Sequence, residues 1–189
     1  MISFVSICNM ALAELGATRI TDLGLADKNS QLCSEFLSPT IDQVLRCHPW
    51  NCARARASLA VLSDTPAFGF AYQYTLPAAP YCLRALRINE DARYVFKVEG
   101  RRLLTDQASV DLEFIKRIVN PAEFDPLLVA VIVAKLAHCL AYPITQSSAV
   151  RDRMEKKFIA ALSEARSVDS QEGSPDVLKT STWLDARLV

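Results

Sequence analysis

The chain has 189 residues, of which 51% are hydrophobic and 22% charged, and its 21 basic and 21 acidic side chains give a formal net charge of zero. Such a composition is typical of a globular protein with one core, and it excludes a disordered chain, two ordinary domains and a strongly basic nucleic-acid binder. A balanced charge leaves self-association open.

The first element in chain order is a helix with one buried face. Apolar residues recur at helical spacing from Phe4 to Leu15, which is the pattern of an amphipathic helix. Ser3 is placed to cap its start and Gly16 to end it.

A second helix follows the loop around residues 21–29. Its apolar stripe runs from Cys33 to Leu45. Pro39 lies inside the stripe, and because proline removes one backbone hydrogen bond we expect the helix to kink or restart there. The His48-Pro49 pair should end it, since a residue before proline avoids helical dihedral angles.

Residues 57–118 have the character of a β region, with prolines and glycines between short runs of aromatic and branched residues. Residues 94–98 and 102–105 flank a short glycine-containing connection, which predicts a hairpin. Residues 83–88 and 110–118 are the other strands that this region predicts.

Two more helices follow the β region. The first should begin at Asp125-Pro126 and end at Tyr142-Pro143. Its apolar run, residues 127–144, approaches the length of a membrane span, but Lys135 near its middle makes a buried helix of a soluble protein the better interpretation. The last helix carries an apolar stripe from Val150 to Ala165 and is amphipathic.

Residues 169–176 have the composition of a linker and lead to an isolated tryptophan, Trp183. A large aromatic residue behind a flexible linker needs a partner surface, either on its own domain or on a neighbouring copy. We therefore interpret residues 169–189 as a flexible C-terminal arm.

Candidate chemistry is sparse. The two histidines, His48 and His138, lie at a helix end and on an apolar helix, and no motif ties either to a nucleophile. Cys47, His48 and Cys52 imitate a metal site, but their spacing is loose and no second ligand pair follows, so we predict no metal, cofactor or catalytic residue.

The six cysteines are expected to be reduced. The N-terminal stretch lacks the basic region and the cleavage-like site of a secretion signal. Cys8, Cys33 and Cys139 fall on the apolar stripes, where free cysteine packs as a small hydrophobic residue.

Three arginines surround a tryptophan in the segment from residue 46 to residue 56: Arg46, Arg54 and Arg56 around Trp50. This combination suits either a nucleic-acid surface or a protein interface. We favour the interface because the net charge is zero. The same question applies to the arginines of the β region, which we expect on solvated strand faces or at a neighbouring subunit: Arg84, Arg87, Arg93, Arg101 and Arg102.

Seven short segments, in order along nearly the whole chain, resemble the tail adaptor proteins of short-tailed bacteriophages. They are residues 11–16, 44–51, 68–77, 97–101, 104–106, 134–137 and 183–187. The chain is similar to the head-to-tail connectors of the tail tubular protein A type.

The resemblance implies a structural virion protein and not an enzyme. Such an adaptor docks under the portal protein as a ring, expected to hold about twelve copies, and it receives the tail nozzle protein. DNA passes through the lumen as non-specific cargo during genome ejection. The protein would reside in the neck of the virion after assembly in the host cytoplasm, with no membrane partner.

The expected fold class is α+β: a mainly α-helical bundle with a small β domain inserted between helices 2 and 3, plus an extended C-terminal arm. The expected domains are one adaptor domain, residues 1–168, with helices in 1–56 and 121–168 and a β-rich insertion in 57–120, followed by the arm at 169–189. The interface candidates are Arg46, Trp50, Arg54, Arg56, Trp183, Leu184 and Arg187.

Two other classes of protein remain open. A virion enzyme that cleaves peptidoglycan or nucleic acid would need a catalytic constellation, which no motif supplies. A sequence-independent DNA-binding module would need a basic face and would lose affinity steeply with added salt.

Overall fold

The structure is a computed structural model that describes residues 2–90 and 93–172. Within these ranges two helices precede a run of six strands and two helices follow it. The helices are α1 (Phe4–Glu14), α2 (Lys28–Cys47), α3 (Pro126–Thr145) and α4 (Ser148–Asp169). The strands are β1 (Arg54–Leu59), β2 (Tyr72–Thr75), β3 (Cys82–Ile88), β4 (Phe96–Glu99), β5 (Arg102–Thr105) and β6 (Val110–Lys116).

Each of these helices begins at a side-chain cap that satisfies backbone N–H groups of the first turn. Ser3 and Ser6 form a capping box at the start of α1, and Asp27 accepts from Asn29 and Ser30 at the start of α2. Asp125 and Ser147 cap α3 and α4 in the same way. The predicted cap at Ser3 and the predicted start at Asp125-Pro126 are confirmed.

Helix α3 is the central helix of the main core. It packs against α4, α1 and α2, and among the described residues it is the one helix long and apolar enough to cross a membrane. Half of its most apolar window is buried against the rest of the chain. The Lys135 ammonium lies 4.9 Å from the ring centroid of Phe158 on α4, so its charge is held at the helix surface.

One proline prediction was wrong in part and a second was wrong. Helix α2 does not restart at Pro39 but runs from Lys28 to Cys47, and the kink that we gave as the other possibility stays a prediction. Leu37 and Ile41, on either side of Pro39, are both buried in the core and support the continuous helix. Helix α3 continues past Pro143 to Thr145, where the Gln146 N–H closes the last turn on Tyr142 O at 2.9 Å. The predicted stop of α2 before Pro49 is confirmed.

The strands form two antiparallel sheets of three. Sheet 1 has the order β1-β6-β3 and sheet 2 the order β2-β5-β4. One face of sheet 1 packs with sheet 2 around a second core that includes Phe114 and Tyr74. Sheet 1 also contributes Leu83 and Ile115 to the helical core. It therefore lies between the helices and sheet 2.

The predicted fold class, a mainly α-helical bundle with a small inserted β domain, was wrong. The described chain is a mixed α/β protein with four helices and two three-stranded antiparallel sheets. Hydrophobic periodicity could not reveal this architecture, because it does not show which segments pack together. In the structure the strands contribute to the helical core and also enclose a second core. Residues 173–189 of the predicted arm lie outside the described residues.

The strand predictions were partly right. The hairpin is confirmed: β4 and β5 pair antiparallel, and Gly100 in the connection has a φ of +59°, a conformation that glycine adopts without strain. The strands at 83–88 and 110–118 are confirmed as β3 and β6. Strands β1 and β2 were missed, and β1 lies partly within residues 1–56, which we had assigned to helices.

Candidate functional site

The segment from residue 46 to residue 56, called the joint below, turns the chain from α2 into sheet 1. His48 leaves the helical conformation with a φ of −146°. Trp50 is only 1% exposed, and its indole N–H donates to the Val44 carbonyl at 2.8 Å. Trp50 thus satisfies a carbonyl at the end of α2 from within the core and offers no surface to a partner.

The end of α4 is fastened to the joint. The Asp169 carboxylate accepts from the backbone N–H of Asn51 at 3.0 Å and lies 2.9 Å from Nε2 of His48. Arg166 donates to the Cys47 carbonyl at 2.9 Å. The interface candidates Trp183, Leu184 and Arg187 belong to residues 173–189, which lie outside the described residues.

The residues that imitate a metal site have other partners. His48 contacts Asp169 and stacks edge-on against Trp50 at 4.7 Å between ring centroids. The Cys47 thiol donates to the Val44 carbonyl at 3.0 Å, and burial raises the pKa of the Cys52 thiol. Over residues 2–90 and 93–172, no group of three or more metal-ligating side chains is assembled.

Five arginines lie on the face of sheet 1 that is turned away from sheet 2 and at its boundary with α2. We call this surface the arginine face, and its members are Arg46, Arg54, Arg56, Arg84 and Arg87. Three of them were predicted as interface candidates, and the other two were expected on solvated strand faces or at a neighbouring subunit. The alternation of β1 explains the grouping, since Arg54 and Arg56 are exposed while Ala55 and Ala57 between them face the second core.

Glu113 organises the arginine face. Its carboxylate, with the side chain 8% exposed, pairs with Arg54 at 3.1 Å and with Arg87 at 2.5 Å. Arg56 pairs with Glu90 at 3.1 Å, and both side chains are largely exposed. Sequence analysis did not single out Glu113. The signal in the sequence was its position between apolar residues of β6. Its register partner on β1, Arg56, is given only by the structure.

Arg46 and Arg84 are held by main-chain oxygens instead of carboxylates. Arg46 donates to the Leu83 carbonyl, and Arg84 donates to the Arg46 carbonyl at 3.2 Å. Neither joins an ion pair within the described part of the chain. Both guanidinium groups therefore add an uncompensated positive charge at the boundary of α2 and β3.

Arg101 has a structural role that the sequence did not indicate. It donates to the carbonyls of Cys82 and Pro77 at 2.7 and 2.5 Å, and its guanidinium lies 4.1 Å from the centre of the Tyr81 ring. Arg117, which pairs with Asp42 on α2, lies on the same ring at 4.5 Å. These contacts tie the loop before β3 to α2.

A second surface feature lies on sheet 2. Gln73 donates to the Asp64 carbonyl in the loop before β2 at 2.7 Å. This loop, with Gln73 and Leu104, lines a groove of about 420 Å³. Phe68 in this loop is 89% exposed. An aromatic side chain so fully in solvent is a candidate for contact with another protein.

A scan against protein-family models and a search of curated proteins found no match to this chain.

Proposed function

We propose that this chain is the head-to-tail adaptor of a short-tailed bacteriophage. In this role it forms a ring, docks on the portal protein, receives the tail nozzle protein and lets DNA pass through its lumen. The proposal makes it a structural component of the virion neck, assembled in the host cytoplasm. It assigns the chain no catalytic residue, cofactor or metal.

The observation that carries the proposal is the order of the seven resembling segments, which extend from residue 11 to residue 187. The segment at residues 44–51 is also one on which the packing depends. Within it Trp50 is buried and His48 contacts the end of α4. The resemblance thus includes residues that set the path of the chain, which supports kinship more strongly than a shared surface pattern would.

Exposed apolar side chains on and around sheet 2 support a role in protein assembly. Phe68 is 89% exposed and Val95, just before β4, is 71% exposed. Repeated contacts of modest size around a symmetry axis give a stable ring without a large interface in any one copy.

The test is the mass of the full-length protein, alone and mixed with its cognate portal, by native mass spectrometry. We expect a complex of many copies when the portal is present. If the protein shows no change of mass in the presence of the portal, even with the portal in excess, the proposal is overturned.

A deletion of residues 173–189 tests the arm. The main core is formed by residues up to Ala165, so we expect the shortened chain to stay folded by circular dichroism but fail to bind the portal. The matched point variant is Trp183→Ala in the full-length chain. Portal binding by the deletion variant equal to that of the full-length protein would refute the role of the arm.

A further inference from the structure

We propose that the arginine face binds the phosphodiester backbone of double-stranded DNA, irrespective of sequence. In its biological setting the inference rests on the proposed function, because the lumen of an adaptor ring is where DNA would meet this surface. The binding itself is a property of the single chain and is measured without the portal.

The charge of the face is the first argument. Arg46 and Arg84 are exposed and join no ion pair within the described part of the chain. Arg56 pairs with Glu90 where both side chains are largely exposed, so solvent screens that pair. The zero net charge of the whole chain conceals this local excess.

The geometry of the sheet is the second argument. Arg54 and Arg84 both pair in register with Ile115 on β6, so they flank one position of the central strand. Arg56 and Arg87 flank Glu113 in the same way, two residues along. Strand spacing puts the two backbones of each pair about 10 Å apart and the two arginines of β1 about 7 Å apart. On β3 a register shift lies between Ala85 and Arg87.

A cluster of guanidinium groups suits a row of phosphates. Each guanidinium presents a planar fork of N–H donors that matches phosphate oxygens. The bonds of Arg46 to the Leu83 carbonyl and of Arg84 to the Arg46 carbonyl fix two of these side chains in advance, which reduces the entropy lost on binding.

The burial of Trp50 decides between nucleic acid and protein as the partner. A protein interface needs an apolar centre, usually with an aromatic anchor, and Trp50 was the candidate for that anchor. It lies in the core instead. None of the large exposed hydrophobic side chains of the described residues belongs to α2, β1, β3 or β6. The remaining surface is polar and positive, as DNA-binding surfaces are.

The experiment measures binding of the full-length protein to labelled duplexes of about 30 base pairs and unrelated sequence, by fluorescence anisotropy across a salt series. The test variant is Arg46→Gln with Arg84→Gln, since neither arginine pairs with a carboxylate that would be orphaned. The control is Arg153→Gln with Lys156→Gln, two exposed cations on α4, which changes the net charge equally. Arg46→Lys with Arg84→Lys keeps the charge.

We expect the wild-type protein and the control to bind both duplexes alike. Loss of two phosphate contacts should weaken binding about tenfold at low salt and make the slope of log K against log salt shallower by about 1.8. The lysine variant should keep a slope close to the wild-type value, because lysine still neutralises a phosphate. Thermal unfolding of every variant checks that the fold persists.

Three outcomes would overturn the inference: no binding by the wild-type protein at the lowest salt, equal weakening by the control variant, or binding of poly-glutamate as strong as that of DNA. The last would identify an acidic protein surface as the partner. Portal assembly is scored separately by native mass spectrometry, so assembly without DNA binding refutes only this inference. DNA binding without assembly favours the DNA-binding module over the adaptor.

Discussion

Replacement of Trp50 tests whether the joint belongs to the core or to an interface. Trp50→Phe keeps an aromatic ring next to His48 but removes the indole N–H that donates to the Val44 carbonyl at 2.8 Å. The lost hydrogen bond is worth about 1 kcal/mol, and the void left by the smaller ring about 1 kcal/mol more. We expect the free energy of unfolding to fall by about 2 kcal/mol, and by about 4 kcal/mol for Trp50→Ala.

The assay is urea unfolding followed by far-ultraviolet circular dichroism, which does not depend on the other tryptophan, Trp183. The matched control is Phe68→Ala, which truncates an aromatic side chain that is 89% exposed and should change stability by less than about 0.5 kcal/mol. If Trp50→Phe changes stability no more than the control does, the indole is not held in the core, and the argument against a protein interface at the arginine face fails with it.

Three further predictions concern single groups. Glu113→Ala leaves partly exposed arginines without their carboxylate, so we expect urea unfolding to show a loss of about 1–3 kcal/mol; an unchanged midpoint would mean that solvent already screens the cluster. Hydrogen bonds from Ser30 and Asn29 hold the pKa of Asp27 below its ordinary value. The stability that this carboxylate contributes is therefore complete above the unfolded pKa and is lost as the pH falls through the folded pKa. Asp27→Asn, which keeps a capping side chain, should flatten the acid side of the thermal stability profile, and an identical profile would contradict this assignment. A thiol reagent should label exposed Cys47 before buried Cys8, as mass spectrometry of the native protein can show, and equal labelling rates would contradict that burial.

Local rules predicted the parts of the fold that depend on neighbours in sequence. Ser3 caps α1 because its hydroxyl reaches an N–H three residues away, and the hairpin at Gly100 depends on the conformation of one residue. The stop before Pro49 has the same origin, since proline restricts the residue that precedes it. The cap, the hairpin and the helix stop each depend on residues only a few positions apart in the sequence.

The alternation of small and charged residues in β1 was also visible in the sequence, but the predicted boundary between residues 56 and 57 divides this strand. The continuation of α2 through Pro39 was not visible. It depends on the packing of Leu37 and Ile41 in the core, which outweighs the loss of one backbone hydrogen bond.

The sequence by itself determined where α1 and α3 begin, where α2 ends, where the hairpin at Gly100 forms and that the chain has enough apolar residues for a core. Only the tertiary structure decided that Trp50 is buried, that Glu113 meets Arg54 from 59 residues away, and that Asp169 meets His48 from 121 residues away. The physical reason is that burial and charge pairing depend on which distant segments pack together, and no periodicity along the chain contains that information.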